Sequence, residues 1–210
     1  MIPKIIHYCW VGPKEMPELE RKCIESWDKF LPDYQKIFWN EDSFDINSNL
    51  FVKQAYGAKK YAFVSDYIRL YALYHYGGIY MDTDVEVIKS LDRFLTHPAF
   101  SGFESPGAIP TGAMGAVKGH PWINRLLEYY KDKSFYFDNG SMDLTTNVKI
   151  ITDISEREFG LVKGNNNFQV LNNDVHIYPT DYFCPKEWWS RKMAITDNTH
   201  TIHHFSNSWF

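Results

Sequence analysis

The sequence predicts an α/β fold, a mainly parallel central sheet flanked by helices in a single domain, and three observations predict it. The first is an opening strand–helix–strand unit. "KIIHYCWVG" is a β-rich run closed by Gly12 and Pro13, "ELERKCIESWDKF" places Leu19, Cys23, Trp27 and Phe30 on one helical stripe, and "YQKIFWN" supplies the second strand. Such a βαβ unit builds parallel sheets of the nucleotide-binding kind. The second is a helix over residues 59–76, "KKYAFVSDYIRLYALYHY", apolar nearly all round and capped by Gly77 and Gly78 before an acidic strand. The third is length: 210 residues bury a sizeable core without calling for a second domain.

Beyond the acidic strand the elements follow in order. "HPAFSGFESPGAIPTGAMGAVKGHPW" is rich in Gly, Pro and Ala and suits a loop with short strands around a substrate site. "PWINRLLEYYKDK" is a helix with Pro121 at its start, and "SMDLTTNVKIITDI" a helix with a Ser cap. "GLVKGNNNFQV" reads as a turn and "DVHIYP" as a late strand. "THTIHHFSNSWF" closes the chain as a polar, ligand-capable tail with His200, His203, His204, Ser206, Ser208 and Trp209.

Composition excludes several function classes. A formal net charge of −4, with no basic run denser than Lys59-Lys60, argues against a nucleic-acid partner. No stretch reaches the length of a membrane-spanning helix, so any membrane association is expected to be peripheral. Cys9, Cys23 and Cys184 lack metal-ligand spacing and read as reduced, buried thiols, which favours the cytoplasm. Aromatic residues make up 17% of the chain; core packing is their ordinary use, and flat rings also suit sugars and nucleobases.

The chemistry concentrates in "GGIYMDTDVEV", residues 77–87. On a continuous strand Ile79, Met81, Thr83, Val85 and Val87 point one way and Tyr80, Asp82, Asp84 and Glu86 the other. Carboxylates at i and i+2 lie roughly 6.5–7 Å apart and raise each other's pKa unless a cation lies between them. An EF-hand fails, since counting from Asp82 the sixth position is Val87 and the twelfth Arg93. A glycosidase pair would flank its bond from opposite sides. A phosphatase with Asp-x-Asp after an apolar strand remains open, as does a merely exposed acidic strand end. A third reading is a Mg²⁺ or Mn²⁺ ion bridging the phosphates of a nucleotide-sugar. Asp66 and Arg69, at i,i+3 on the preceding helix, are either a structural ion pair or part of the same crevice.

Three separated blocks, "IPKIIHYCWVG", "SDYIRLYALYHYGGIYMDTDVEV" and "IHHFSNSW", together resemble glycosyltransferase family 32, the DXD-containing family of the GT-A fold. That family includes yeast initiating α-1,6-mannosyltransferases and bacterial capsule and exopolysaccharide transferases. The middle block is also similar to the glucosyltransferase domains of large clostridial toxins. Ser65, Asp66, Arg69, Leu73, Gly77, Gly78, Tyr80, Asp82 and Asp84 all match its pattern; between the blocks, in roughly 95–195, little is recognisable.

The resemblance implies a GT-A-type, Rossmann-like sheet. Residues 1–95 would bind nucleotide-sugar and metal; residues 96–210 would form the acceptor side and a closing segment. It implies that Trp10 stacks on the donor base and that Asp66 and Arg69, flanked by Ser65 and Tyr80, contact sugar and diphosphate. Asp84 would bind Mn²⁺ or Mg²⁺ directly, and Asp82 would touch ribose, sugar or a metal-bound water. His204 is the expected further metal ligand, with His203 the competing assignment and a packed histidine the plain alternative. Ser208 and Trp209 would close over the diphosphate, and Asn147 would steady the transferred sugar. The expected reaction is hexosyl transfer with retention by front-face displacement, unless Asp143 or Glu104 serves as nucleophile. The donor is expected to be a UDP-sugar ahead of GDP-mannose. The acceptor would be a glycan or lipid-linked oligosaccharide in capsule or exopolysaccharide synthesis, at or near the inner membrane face. A non-catalytic carbohydrate-binding protein or an inactive relative is the alternative from another class.

Overall fold

In the computed structural model, which describes residues 1–110 and 112–206, the predicted opening unit forms, with its helix and second strand within a residue of their expected limits and its first strand ending at Cys9, three residues before the end of the expected run. Strand β1 (Ile5–Cys9) is followed by helix α1 (Glu18–Phe30) and strand β2 (Gln35–Trp39), and β1 and β2 pair in parallel from Ile5↔Gln35 to Cys9↔Trp39. The buried stripe of α1 differs from the expected one by a small rotation. Glu20, Cys23 and Trp27 face inward, whereas Leu19 is exposed. A carboxylate on the inner face of an amphipathic helix needs a reason, and the site below supplies one.

Helix α2 (Leu50–Gly57) was not expected from the sequence; it is short and opens on Asn49, whose side chain accepts the Val52 N–H. Helix α3 (Tyr61–Tyr76) is the predicted central helix. Val64, Ile68, Leu70, Ala72 and Leu73 are buried, and so are its polar members Ser65, Asp66 and Arg69. Gly77 ends it at φ 70°, ψ 178°, a conformation open to glycine and hardly to other residues.

The acidic run departs from expectation. It is two strands, β3 (Gly78–Met81) and β4 (Val85–Val87), separated by a turn in which the Val85 N–H donates to Asp82 O at 3.0 Å. Asp82 and Asp84 therefore sit on a turn and owe their nearness to that turn rather than to strand alternation.

A short 3₁₀ turn (Asp92–Phe94) leads to β5 (Ala99–Gly102) and β6 (Ala113–Ala116), then to α4 (Pro121–Glu128) with proline at its first position. Helix α5 (Asn147–Phe159) begins later than the Ser-capped start expected at Ser141. Thr146 caps it through the Lys149 N–H, and Gly160 closes it in the left-handed region. Strands β7 (Gln169–Leu171) and β8 (Val175–Tyr178), helix α6 (Thr180–Phe183) and strand β9 (Thr201–His203) complete the order.

Seven strands form one sheet in the order β2-β1-β3-β6-β5-β8-β7. From the pairings, β2, β1, β3, β5 and β8 run one way and β6 and β7 the other, so the sheet is mainly parallel, as predicted. Core lies on both faces. Tyr80 and Met114 join the side chains of α2 to α5 on one face; Ile79, Met81 and Ala113 join Trp27, Val85, Val87 and Phe183 on the other. Strands β4 and β9 form a separate antiparallel pair. The three cysteines are free and buried, and no helix among the described residues is long and apolar enough to cross a membrane.

The junction from α3 into β3 is tight. Trp39 Nε1–H donates to His7 Nδ1 at 3.2 Å, which leaves His7 Nε2–H to donate to Gly77 O at 2.8 Å. Gly78 has φ 116°, and a Cβ there would lie 2.7 Å from the backbone oxygen of Ile5 on β1. Gly78→Ala is expected to destabilise the fold by about 1–3 kcal/mol, read as a lower urea midpoint with an unchanged slope.

Candidate active site

The chain leaves β1 for β2 on one side and returns to β3 on the other, so the sheet order reverses at β1. In open α/β sheets the crevice beyond the carboxyl ends of strands at such a point is where ligands bind. Trp10 follows β1 directly, and Asp82 follows β3 directly. Helix α3 packs against both strands and supplies Asp66 and Arg69.

Arg69 is the electrostatic centre of this end. Its guanidinium is 4.6 Å from the centroid of the Tyr80 ring, with Nη2 2.8 Å from Asp82 Oδ1 and 3.5 Å from Asp66 Oδ1. Burial pushes the Asp66 carboxyl up to about 7, with Arg69 opposing and Asp82 reinforcing that rise. Burial likewise raises Asp82, against the pull of Arg69 and His203. Asp84 goes the other way. Burial opposes its charge, but His203 and the Ser206 N–H more than offset this and hold the carboxyl well below its usual range. Burial also disfavours a charged His203, and the Asp84 carboxylate outweighs it, so the imidazole pKa lies well above normal.

The C-terminal segment supplies those partners. Strand β9 pairs with β4 in a register that sets His203 opposite Val85. His203 Nε2 lies 3.3 Å from Asp84 Oδ1, and the Ser206 N–H donates to Asp84 Oδ2 at 2.9 Å. His204, the residue after β9, turns its side chain to Glu86 instead, with Nε2 2.9 Å from Oε2. The structure thus brings His203, and not the expected His204, to the acidic turn. Ser206 Oγ also donates to Glu20 Oε1 at 2.7 Å, which accounts for the carboxylate on the inner face of α1.

Other expected site residues are placed as follows. Ser65 donates its hydroxyl to Ala62 O within its own helix. Tyr80 is almost wholly buried beneath Arg69, so it supports that guanidinium and offers no open surface to a donor. Trp10 lines a mostly apolar cavity of about 680 Å³ with Val11, Pro13, Tyr61, Phe63, Leu144 and Thr146. Its indole N–H donates to Lys14 O at 2.8 Å. Trp10 follows β1 and Asp82 follows the adjacent strand β3, so the Trp10 wall of the cavity lies at the same sheet end as the acidic turn. Asn147, largely buried, opens α5 next to Thr146 of the cavity wall. Ser208 and Trp209 lie outside the described residues.

Sequence reasoning missed Glu20 and Gly112. Asp82 N–H donates to Gly112 O at 2.8 Å, and a Cβ on Gly112 would lie 3.2 Å from both Asp82 Oδ2 and His203 Cγ. The nearest atom is Val85 Cγ2 at 2.7 Å, so a glycine is needed there chiefly to admit the Val85 side chain. Glu20 carried a usable signal, since with Cys23 and Trp27 it completes an i, i+3, i+7 stripe; Gly112, in a Gly/Pro/Ala-rich loop, carried none. Of the two candidate nucleophiles, Asp143 is held by Lys133 Nζ at 2.8 Å and by the Thr145 N–H. Burial raises the Glu104 carboxyl, which also feels His203, Asp82, Arg69 and Asp84.

No three His, Cys, Asp or Glu side chains converge into a metal cage among the described residues. Two neighbouring carboxylates are, however, what Mg²⁺-like cations take when substrate phosphates and water complete their shell. The donor set fits a hard divalent ion held in that way.

Comparison with known proteins matches this geometry. Residues 17–101 match the family model of the glycosyltransferase sugar-binding region containing the DXD motif, which takes in Asp66, Arg69, Asp82 and Asp84. Inositol phosphoceramide mannosyltransferase 3 of Schizosaccharomyces pombe is 35% identical over 134 residues, covering 60% of this chain and 36% of its own length. Mannosyl phosphorylinositol ceramide synthase CSH1 of Saccharomyces cerevisiae is 34% identical over 150 residues, covering 65% and 38%. The chain spans little more than a third of the length of these curated relatives. In fold it resembles the solved PaToxG glycosyltransferase, with a TM-score of 0.55 at 20% identity over 75% of this chain and 69% of that one. Residues 17–101, with the acidic turn at the carboxyl end of β3, are thus similar to the DXD-containing sugar-binding region of glycosyltransferases, and the fold is similar to that of a solved glycosyltransferase.

Proposed function

We propose that the protein transfers a hexose from a nucleotide-diphosphate sugar to a lipid-linked or glycan acceptor. The observation that carries this reading is the convergence of Arg69, Asp82, Asp84 and His203 at the carboxyl ends of β1 and β3, beside a cavity walled by Trp10. The cavity is of a size for a nucleoside, with apolar walls and few polar groups, the usual character of a cofactor pocket.

In this reading Trp10 stacks on the base, and Asp84 with Asp82 holds a Mn²⁺ or Mg²⁺ ion. That ion supplies Lewis-acid neutralisation of charge on the leaving diphosphate. Arg69 stays charged between Asp66 and Asp82 and fixes both carboxylates for the sugar hydroxyls. Asp66, with its pKa near 7, has both protonation states within reach at neutral pH and so donates or accepts a hydrogen bond there. His203 and Ser206 set the position of Asp84. The sugar keeps its anomeric configuration, the leaving phosphate oxygen assisting removal of the acceptor proton.

Both yeast relatives are named for mannosyl transfer to an inositol phosphoceramide, a lipid acceptor. A nucleotide-activated mannose therefore stands beside the UDP-hexoses as donor, and a lipid-linked acceptor ahead of capsular polysaccharide.

Three measurements test this. Release of nucleotide from a panel of UDP- and GDP-hexoses is expected to depend on Mn²⁺ or Mg²⁺ for one donor. It should fall about a hundredfold or more in Asp84→Asn, with NMR of the product showing retained configuration. A folded chain that turns over no donor sinks the proposal and leaves a sugar-binding protein. His203→Gln should lower metal-dependent turnover by about tenfold or more and His204→Gln far less; the reverse order would restore His204 to the site. In calorimetric titration, Trp10→Ala should weaken donor binding by about 1–3 kcal/mol, and unchanged affinity would return Trp10 to the core.

A further inference from the structure

Residues 188–198 are exposed without a break. The run contains four large apolar side chains about half open to solvent: Trp188 (54%), Trp189 (53%), Met193 (45%) and Ile195 (55%). Hydrophobic side chains exposed singly are ordinary, but a cluster of this kind on one loop marks an interaction surface. The loop has a defined shape. Lys186 and Met193 form an antiparallel bridge, the Glu187 N–H donates to Lys192 O at 2.8 Å and the Ala194 N–H to Pro185 O at 2.9 Å. Arg191 turns the chain at φ 60°. The result is a hairpin whose tip carries the tryptophan pair.

Its charge runs against that of the chain. Lys186, Arg191 and Lys192 are cationic, and the one carboxylate between them, Glu187, accepts the Ser190 hydroxyl, in a chain of net charge −4. The hairpin is also fastened to the active site. Lys186 Nζ donates to His204 O at 2.9 Å and Arg191 Nη1 to Phe205 O at 3.0 Å, while the His204 N–H donates to Asp84 O at 3.0 Å.

We propose that this hairpin seats on a lipid bilayer. Trp188, Trp189, Met193 and Ile195 enter the boundary between headgroups and acyl chains, and Arg191 and Lys192 meet lipid phosphates. Tryptophans flanked by aliphatic side chains and cations are the composition of an interfacial anchor. A glycan platform fits less well. The two indoles stand at 86° to each other, 5.7 Å between centroids, so they present no shared flat face, and Met193 and Ile195 would have no part in ring stacking. Seating would hold the acidic turn at the membrane surface, where a lipid-linked acceptor lies. That consequence rests on the transferase reading; the binding does not.

Cosedimentation of the 210-residue chain with phosphatidylcholine vesicles, with and without phosphatidylserine, tests it. The chain is expected to pellet with both and more completely with the anionic lipid. The Trp188→Ala/Trp189→Ala variant should partition on the order of tenfold less, with nucleotide release in vesicle-free buffer unchanged. Lys192→Glu should reduce only the part of binding that phosphatidylserine adds. Failure of the chain to pellet, or equal pelleting of the double variant, overturns the proposal. So does a double variant that pellets normally yet loses transfer to a water-soluble glycan, which would make the hairpin a sugar platform. The vesicle assay needs no donor, so its result stands whether or not the chain proves to be a transferase.

Discussion

Two carboxylates two residues apart in a buried turn are the constraint on which the rest of this structure depends. Asp82 and Asp84 face a desolvation cost that a chain without counter-charges would meet by protonation or exposure. The fold meets it with one cation for each. Arg69 reaches Asp82 from α3, and His203 reaches Asp84 from β9. The positions of both elements follow from that requirement. Helix α3 must pack on β1 and β3 with its polar members turned toward the strand ends, and Gly77 and Gly78 let the chain reverse from helix to strand close enough for Arg69 to span the gap.

The second cation comes from more than a hundred residues further along the chain, which makes the β4–β9 pair more than decoration on the main sheet. Its register decides which histidine meets Asp84. A slip of one residue would exchange His203 for His204 and turn every other side chain of the strand over. Two features pin that register: the Asp84 carboxylate accepts the Ser206 N–H, and Ser206 Oγ donates to Glu20 on α1. Trp27, on the same stripe of α1, donates its indole N–H to Val85 O at 2.8 Å and fixes the other strand of the pair. Helix α1 is thus an anchor for both sides of the acidic turn.

This division explains what was legible in the sequence. The strand–helix–strand opening, the central helix and its glycine cap were readable because hydrophobic period and glycine placement are local. The motif Ser65-Asp66-x-x-Arg69 to Asp84 was readable as a pattern, and its charged members Asp66, Arg69, Asp82 and Asp84 sit at the strand ends beside a switch point. The break of the acidic strand into two was hidden. Ile79, Met81, Val85 and Val87 alternate as a single strand would, and they do share one core face. The choice of His203 over His204 was hidden for a different reason: it depends on a register across more than a hundred residues. Glu20 stood in plain view as a charge on an apolar stripe, but its purpose needed Ser206.

Buried ion pairs are poor evidence for stability, because the desolvation cost rivals the attraction, and well-packed apolar residues often do better. Removing one partner, by contrast, strands a buried charge at a cost of about 3–5 kcal/mol. A cluster of four charges that adds little net stability, and whose members cannot be lost singly, is retained for something other than folding. The unsatisfied atoms point the same way. Among the described residues, buried side-chain polar atoms without a partner include Glu20 Oε2, Arg69 Nε and His176 Nδ1, whereas His203 has the Cys184 thiol as well as Asp84. Native proteins leave few such groups, and two of these three belong to residues that surround the acidic turn. Hydrogen-bonding capacity left unspent by the protein at one place, next to two carboxylates, supports the proposed reading of a polar ligand with a flat apolar end. A nucleotide-sugar has that composition.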